Sequence, residues 1–281
     1  MTQLKVFSFG GGWQSMAALV LAAEGKIDYK IFLFANVGDD SEKPETLDYV
    51  HQYAMPFAKE NGLDLIEVQR QWRDGREFES IYSRMLNAPE GVLREPIPVR
   101  GESGKPLSRT CTVDWKILVT GKWCREHGAS RKNPGIKALG YTLDEVRRIN
   151  PARAMPYEVL TYPLVGAPQG YDTGLRLRRS DCPRVIRNAG LPVPPASHCW
   201  FCPNHSLESW RTECREHPER FAKSVALERL LIQRRVARNK PPVYLSGYGR
   251  PLDEVVRDDV ELLPMADDDA DGMCDSGGCF T

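Results

Sequence analysis

The chain has 281 residues, with 38 Lys+Arg against 38 Asp+Glu and so no formal net charge at pH 7. That balance excludes a global field for nucleic acid or membrane surfaces, although residues 174–187 (GLRLRRSDCPRVIR) are locally basic. No apolar run approaches the roughly 20 residues that span a bilayer, and no signal-peptide pattern opens the sequence. The expectation is a cytoplasmic protein with no membrane partner, whose eight cysteines serve metal or redox chemistry rather than disulfides.

Residues 5–9 (KVFSF) alternate and carry β-formers, which predicts a strand. Gly10, Gly11 and Gly12 interrupt it, and residues 16–23 (MAALVLAA) read as a buried helix. A glycine run between strand and helix lets backbone N–H groups approach an anion at the positive end of the helix, and Ser15 adds a hydroxyl. No Lys-Ser/Thr follows the glycines and no third glycine completes a dinucleotide fingerprint, so this is a phosphate cradle of neither common type. The plain alternative is a glycine-rich turn that only joins strand to helix.

Further strands are predicted at residues 30–35 (KIFLFA), 64–68 (DLIEV) and 135–140 (GIKALG). A helix is expected over residues 44–61, opened by Pro44 and Glu45. Strand–helix alternation predicts an α/β fold, a parallel sheet with helices on both faces and ligands at the carboxyl ends of its strands. Residues 10–15, 36–40 and 140–148 all fall there. Residues 85–110, rich in Pro and Gly, read as a loop or lid over that crevice. Residues 166–200 read as irregular, 207–238 as one or two amphipathic helices, and 266–281 (ADDDADGMCDSGGCFT) as a mobile acidic tail. The expected organisation is an α/β domain over 1–165, a mainly helical cysteine-containing region over 166–265, and the tail.

Cys199 and Cys202 form a C-x-x-C, a spacing that lets two thiolates face one metal. By itself it leaves zinc, an iron–sulfur cluster and a redox dithiol open. A zinc site built from Cys182, Cys199, Cys202 and His198 or His205 fits the ligand types. Cys124 and Cys214 lie in helical patterns and read as small buried residues. Asp144, Glu145, Arg147 and Arg148 could simply form the exposed first turn of a helix.

Four ordered segments resemble the phosphoadenosine phosphosulfate (PAPS) reductase family of the adenine nucleotide α-hydrolase, or PP-loop, superfamily. Residues 11–15 (GGWQS) sit where the family carries Ser-Gly-Gly-x-Asp-Ser. Residues 34–50 (FANVGDDSEKPETLDYV) are similar to its stretch ending in Pro-Glu-Thr. Residues 109–117 (RTCTVDWKI) resemble its Arg-x-Cys-x-x-x-x-Lys segment, and 139–148 (LGYTLDEVRR) its Gly-x-x-x-Asp-Glu-x-x-Arg segment. Gln14 departs from the usual Asp and brings no charge for Mg²⁺.

The resemblance implies a Rossmann-like PP-loop fold that binds ATP, or else PAPS or adenosine phosphosulfate. The nucleotide would be held by Ser8, Gly10, Gly11, Gly12, Gln14, Ser15, Asn36, Gly38, Gly140, Asp144, Glu145 and Arg148, with Arg109 and Lys116 as catalytic cations. It implies a [4Fe–4S] cluster on Cys111, Cys199 and Cys202 with Cys182 as fourth ligand, zinc being the alternative. It also implies a mobile nucleophile, Cys279, whose tail neighbour is Cys274. The expected activity is sulfur transfer driven by cleavage of ATP to AMP and pyrophosphate. The alternatives are a thiol-dependent reductase releasing sulfite, and a non-catalytic nucleotide-binding protein. Expected partners are a nucleic-acid or nucleobase acceptor and a thioredoxin-like or sulfur-donor protein.

Overall fold

The computed structural model describes residues 3–71, 78–88, 95–107, 109–150, 153–166 and 174–257. Five parallel strands, β1 (Lys5–Phe9), β2 (Ile31–Asn36), β3 (Asp64–Gln69), β4 (Gly135–Leu139) and β5 (Glu158–Thr161), form one sheet in the order β3-β2-β1-β4-β5. The chain winds outward from β1 to β3 and then returns to the other side of β1. The topological switch point therefore lies between β1 and β4, where an open α/β sheet forms its ligand crevice.

Both faces of the sheet are covered, as the apolar runs of β1 and β2 require. On one face Phe7, Phe9, Phe32 and Phe34 form an aromatic layer, with Phe7 and Phe32 stacked at 5.0 Å between centroids. Helix α1 (Trp13–Ala23) lies on this layer and is covered in turn by α6 (Cys182–Asn188). A helix closed in on two sides has no use for a polar stripe, which explains the uniformly apolar MAALVLAA. The same face carries α2 (Pro44–Tyr49) and α3 (Met55–Glu60), joined by a π-helical turn (Val50–Ala54) into the one long helix expected. On the other face Val6 and Leu33 meet Cys124 of α5 (Leu118–Glu126), and the buried Lys137 of β4 pairs with Glu158 of β5 at 3.3 Å.

A second apolar cluster joins α7 (Leu207–Glu216), α8 (Pro218–Val236) and α9 (Leu252–Arg257) to α4 (Ile81–Leu86), Trp115 and residues 97–99. The described part of the region expected to be a lid contributes to this cluster. Ile97 and Val99 are buried in it, and Arg100 bridges to Tyr244. In EPIPVR the prolines suggest a loop, but the whole stretch from Pro96 to Arg100 is buried. Strand β5 and helices α4 and α6 are short and carry no clear pattern in the sequence, whereas α5 contains the helical pattern around Cys124. Among the described residues no helix is long and apolar enough to cross a membrane. The expected tail, with Cys274 and Cys279, lies outside the described residues.

Candidate functional site

The glycine loop sits at the switch point. Gly11 has φ +76°, and a Cβ there would stand 3.0 Å from Thr46 Cγ2, so glycine is needed for both reasons. Gly12 is the N-cap of α1, with no side chain capping the helix, which leaves its first N–H groups at the positive end of the dipole. Ser15 donates its hydroxyl to Gly12 O at 2.9 Å and tightens that turn.

The loop after β4 closes the other wall. A Cβ on Gly140 would lie 3.3 Å from Phe7 and 3.5 Å from Gln14, so this glycine lets β4 approach α1. Thr142 and Glu145 form a capping box over a 3₁₀ turn (Leu143–Arg148), with acids first and bases last as the dipole favours. The buried Glu145 carboxylate accepts from Gln14 Nε2 at 3.0 Å and pairs with Arg148, whose guanidinium also covers the Tyr141 ring. Asp144 is exposed and accepts from the Arg179 backbone.

At the carboxyl end of β2, Asn36 is buried, and its amide donates to Asp39 and Glu67 while its oxygen accepts from Gly38 N. Gly38 has φ +118°, and a Cβ there would overlap Ser80 at 2.2 Å. These two residues thus build the turn that follows β2. Ser8 faces away from the glycine loop and lines a small cavity of about 50 Å³ with Lys137, Tyr141 and Tyr162 on the α5 side.

The C-x-x-C segment docks on this end of the sheet. Lys43 N donates to His198 O and Trp200 N to Ser41 O, both at 3.2 Å, so Glu42 and Cys199 form an antiparallel bridge. Ser197 donates to Gly10 O at 2.5 Å, which ties the cysteine turn directly to the glycine loop. Cys202 N closes the turn on Cys199 O at 3.1 Å. Beneath it Glu42 is buried and its carboxyl is pushed up by burial, against the pull of Lys116 and hydrogen bonding with Lys43 N and Ser197. Its Oε1 has no hydrogen-bond partner among the described residues. Lys116 is buried on the π-helical turn (Val113–Ile117), and Arg109 is half-buried ahead of Cys111.

His198 and His205 are buried side by side, Nδ1 to Nε2 at 2.7 Å. Burial first, and then the nearby Lys43, holds His198 down to about 3; His205 is likewise driven well below its ordinary value, by burial and His198. Both imidazoles are neutral at physiological pH.

The four predicted metal ligands divide into two groups. Cys111 and Cys199 pack against the second apolar cluster, and Cys202 is buried two residues beyond Trp200. Cys182 instead belongs to the core between α1 and α6, its Sγ 3.8 Å from Arg178 O and its thiol pushed up to about 12 by burial. Among the described residues no three His, Cys, Asp or Glu side chains are grouped as a metal site. Cys182 thus lies in a different part of the core from the other three cysteines. Glu42, Ser197 and the histidine pair were not singled out as parts of the crevice; His205 and His198 had stood only as zinc alternatives. The one local signal for Ser197 and His198 was their place beside Cys199.

Chemically the site offers uncapped N–H groups for an anion, and a buried lysine and carboxyl beneath a cysteine turn joined to the same loop. No family model, curated protein or solved structure matches the chain.

Proposed function

We propose that the crevice binds an adenine nucleotide of the PP-loop kind and that the protein is a PAPS reductase-like sulfur-transfer enzyme. ATP cleavage at the α-phosphorus would activate an acceptor. The observation that carries this reading is the Ser197–Gly10 hydrogen bond, which holds the C-x-x-C turn against the glycine loop. Phosphate chemistry and thiol chemistry then share one crevice at the strand switch point.

In this reading the nucleotide phosphates lie on the Gly10–Ser15 backbone at the start of α1. Attack by an acceptor oxygen on the α-phosphorus forms an adenylate and releases pyrophosphate. Lys116 and Arg109 balance the charge that develops, as positioned cations do in phosphoryl transfer. Sulfur from a donor protein then displaces AMP. Gln14 brings no charge and holds Glu145, so any Mg²⁺ would be bound chiefly by the phosphates. Cys111, Cys199 and Cys202 would hold a cluster that supplies sulfur, or a zinc that anchors a sulfur ligand, when such a group is bound.

The test is release of pyrophosphate from ATP by anaerobically purified full-length protein, with metal analysis and a visible spectrum on the same sample. Pyrophosphate release that Lys116→Met abolishes supports the reading. Sulfite release from PAPS with no pyrophosphate from ATP overturns it in favour of the thiol-dependent reductase.

A further inference from the structure

Residues 141–190 hold eight arginines, five acidic residues and no lysine, in a chain whose overall charge is zero. A merely solvated surface mixes the two cations. An all-arginine set is suited to planar, bidentate contacts with phosphate and to stacking on bases.

The fold brings two of these stretches side by side. The loop after β4 and residues 175–179 run together: Leu143 N donates to Leu177 O at 2.8 Å, and Arg179 N donates to Asp144 at 2.6 Å. Arg147, Arg153, Arg176, Arg178, Arg184 and Arg187 are all exposed. Arg178 and Arg184 pair with Asp144 at 4.0 Å and Asp181 at 3.2 Å while both arginine side chains stay well exposed, and such pairs hold a side chain weakly. The remaining two arginines are anchors. Arg148 is clamped on Glu145, and the Arg179 guanidinium lies 4.8 Å over the ring of Trp13, the first residue of α1. The ridge thus begins at the helix start where the glycine loop ends.

We propose that this ridge is the docking surface for a single-stranded nucleic acid, its phosphates on the exposed arginines and its reacting nucleotide led to the glycine loop. A duplex would keep its bases stacked away from a crevice set between two loops, whereas a single strand can deliver one. That the bound strand is the sulfur acceptor rests on the proposed function; the docking itself does not.

The experiment is fluorescence anisotropy of a labelled 20-nucleotide single strand, as RNA and as DNA, with full-length protein over a range of salt. ATP binding is measured separately on the same samples. The triple variant Arg176→Ala, Arg178→Ala, Arg184→Ala should weaken strand binding at least tenfold at about 0.1 M salt. It should also reduce the log–log salt slope by about 2, the value for three lost phosphate contacts on a single strand. ATP binding should not change, and a control pair on α7, Arg211→Ala with Arg215→Ala, should leave strand affinity within twofold.

No binding by the unmodified protein, or equal loss in the α7 control, overturns the proposal. So does tighter, ridge-dependent binding to phosphatidylserine vesicles than to the strand. Strand binding without ATP binding keeps the ridge and removes the proposed function; ATP binding without strand binding does the reverse.

Discussion

Gln14 Nε2 and Glu145 Oε2 meet at 3.0 Å across the switch point of the sheet, joining the first turn of α1 to the loop after β4. Both are buried, and Thr142 and Arg148 complete the carboxylate's partners. A neutral donor is therefore what Glu145 requires of residue 14. Gln14→Asp, one methylene shorter, would remove this donor and set a second carboxylate within roughly 4–6 Å of Glu145, where like charges cannot both ionise cheaply. The expected result is a loss of about 1–3 kcal/mol in urea unfolding at pH 8, shrinking in acid as a shared proton relieves the repulsion. A Gln14→Asp protein as stable as the parent at pH 8 would show that the contact is not formed.

The turn after β2 depends on one glycine more than on any other. Gly38 combines φ +118° with a Cβ position 2.2 Å from Ser80 Cβ and 2.8 Å from Asp40 Oδ1. Gly25 also has positive φ, but nothing lies within 4 Å of its Cβ position. Gly25→Ala should cost about 1 kcal/mol from backbone strain alone, and Gly38→Ala about 3 kcal/mol or more, because the β2 turn and α4 must move apart. Paired thermal melts measure the contrast; equal losses would remove the steric argument.

Much of the sheet is legible in the sequence because β1 to β4 carry runs of β-formers bounded by turns, and the glycines announce the loop at the switch point. Strand β5 is four residues, EVLT, too short for a period to register. Helix α6 is hidden among prolines, and its burial comes from α1, far away in the chain. Glu42 illustrates the limit most clearly. In DDSEK it reads as an exposed acid, and only the docking of residues 197–200 buries it. Cysteine spacing likewise cannot tell a ligand from a packing residue: Cys182 stands near the C-x-x-C in sequence, yet its helix turns it into the core.

That placement separates the cysteines experimentally. Cys182→Ala removes a small apolar group and should cost about 1–2 kcal/mol of stability while leaving the metal content of anaerobically purified protein unchanged. Cys199→Ala and Cys202→Ala, which remove the thiols of the turn but not its backbone hydrogen bond, should lower bound metal several-fold. Metal analysis of the three variants decides between a site at the turn and the wider four-cysteine set. Loss of metal in Cys182→Ala would restore the fourth ligand.

The C-terminal helices carry a pH dependence of their own. Glu228 of α8 accepts from Leu245 N and Leu252 N, both at 2.7 Å, and so fastens residues 245–252 and the start of α9. Burial pushes its carboxyl up to about 7 despite those two donors, from an ordinary value of 4.5. Between those values the folded protein keeps a proton that the unfolded chain has released. Stability from this group is therefore full below about pH 4.5, falls as pH rises through that window and is level above about 7. Glu228→Gln cannot titrate, although its amide nitrogen cannot accept from the second backbone N–H. The parent's advantage over Glu228→Gln should thus shrink by up to about 3 kcal/mol between pH 5 and pH 8. Urea unfolding of both proteins at the two pH values reads this directly. An unchanged difference would mean that Glu228 stays charged throughout, with the two backbone donors outweighing its burial.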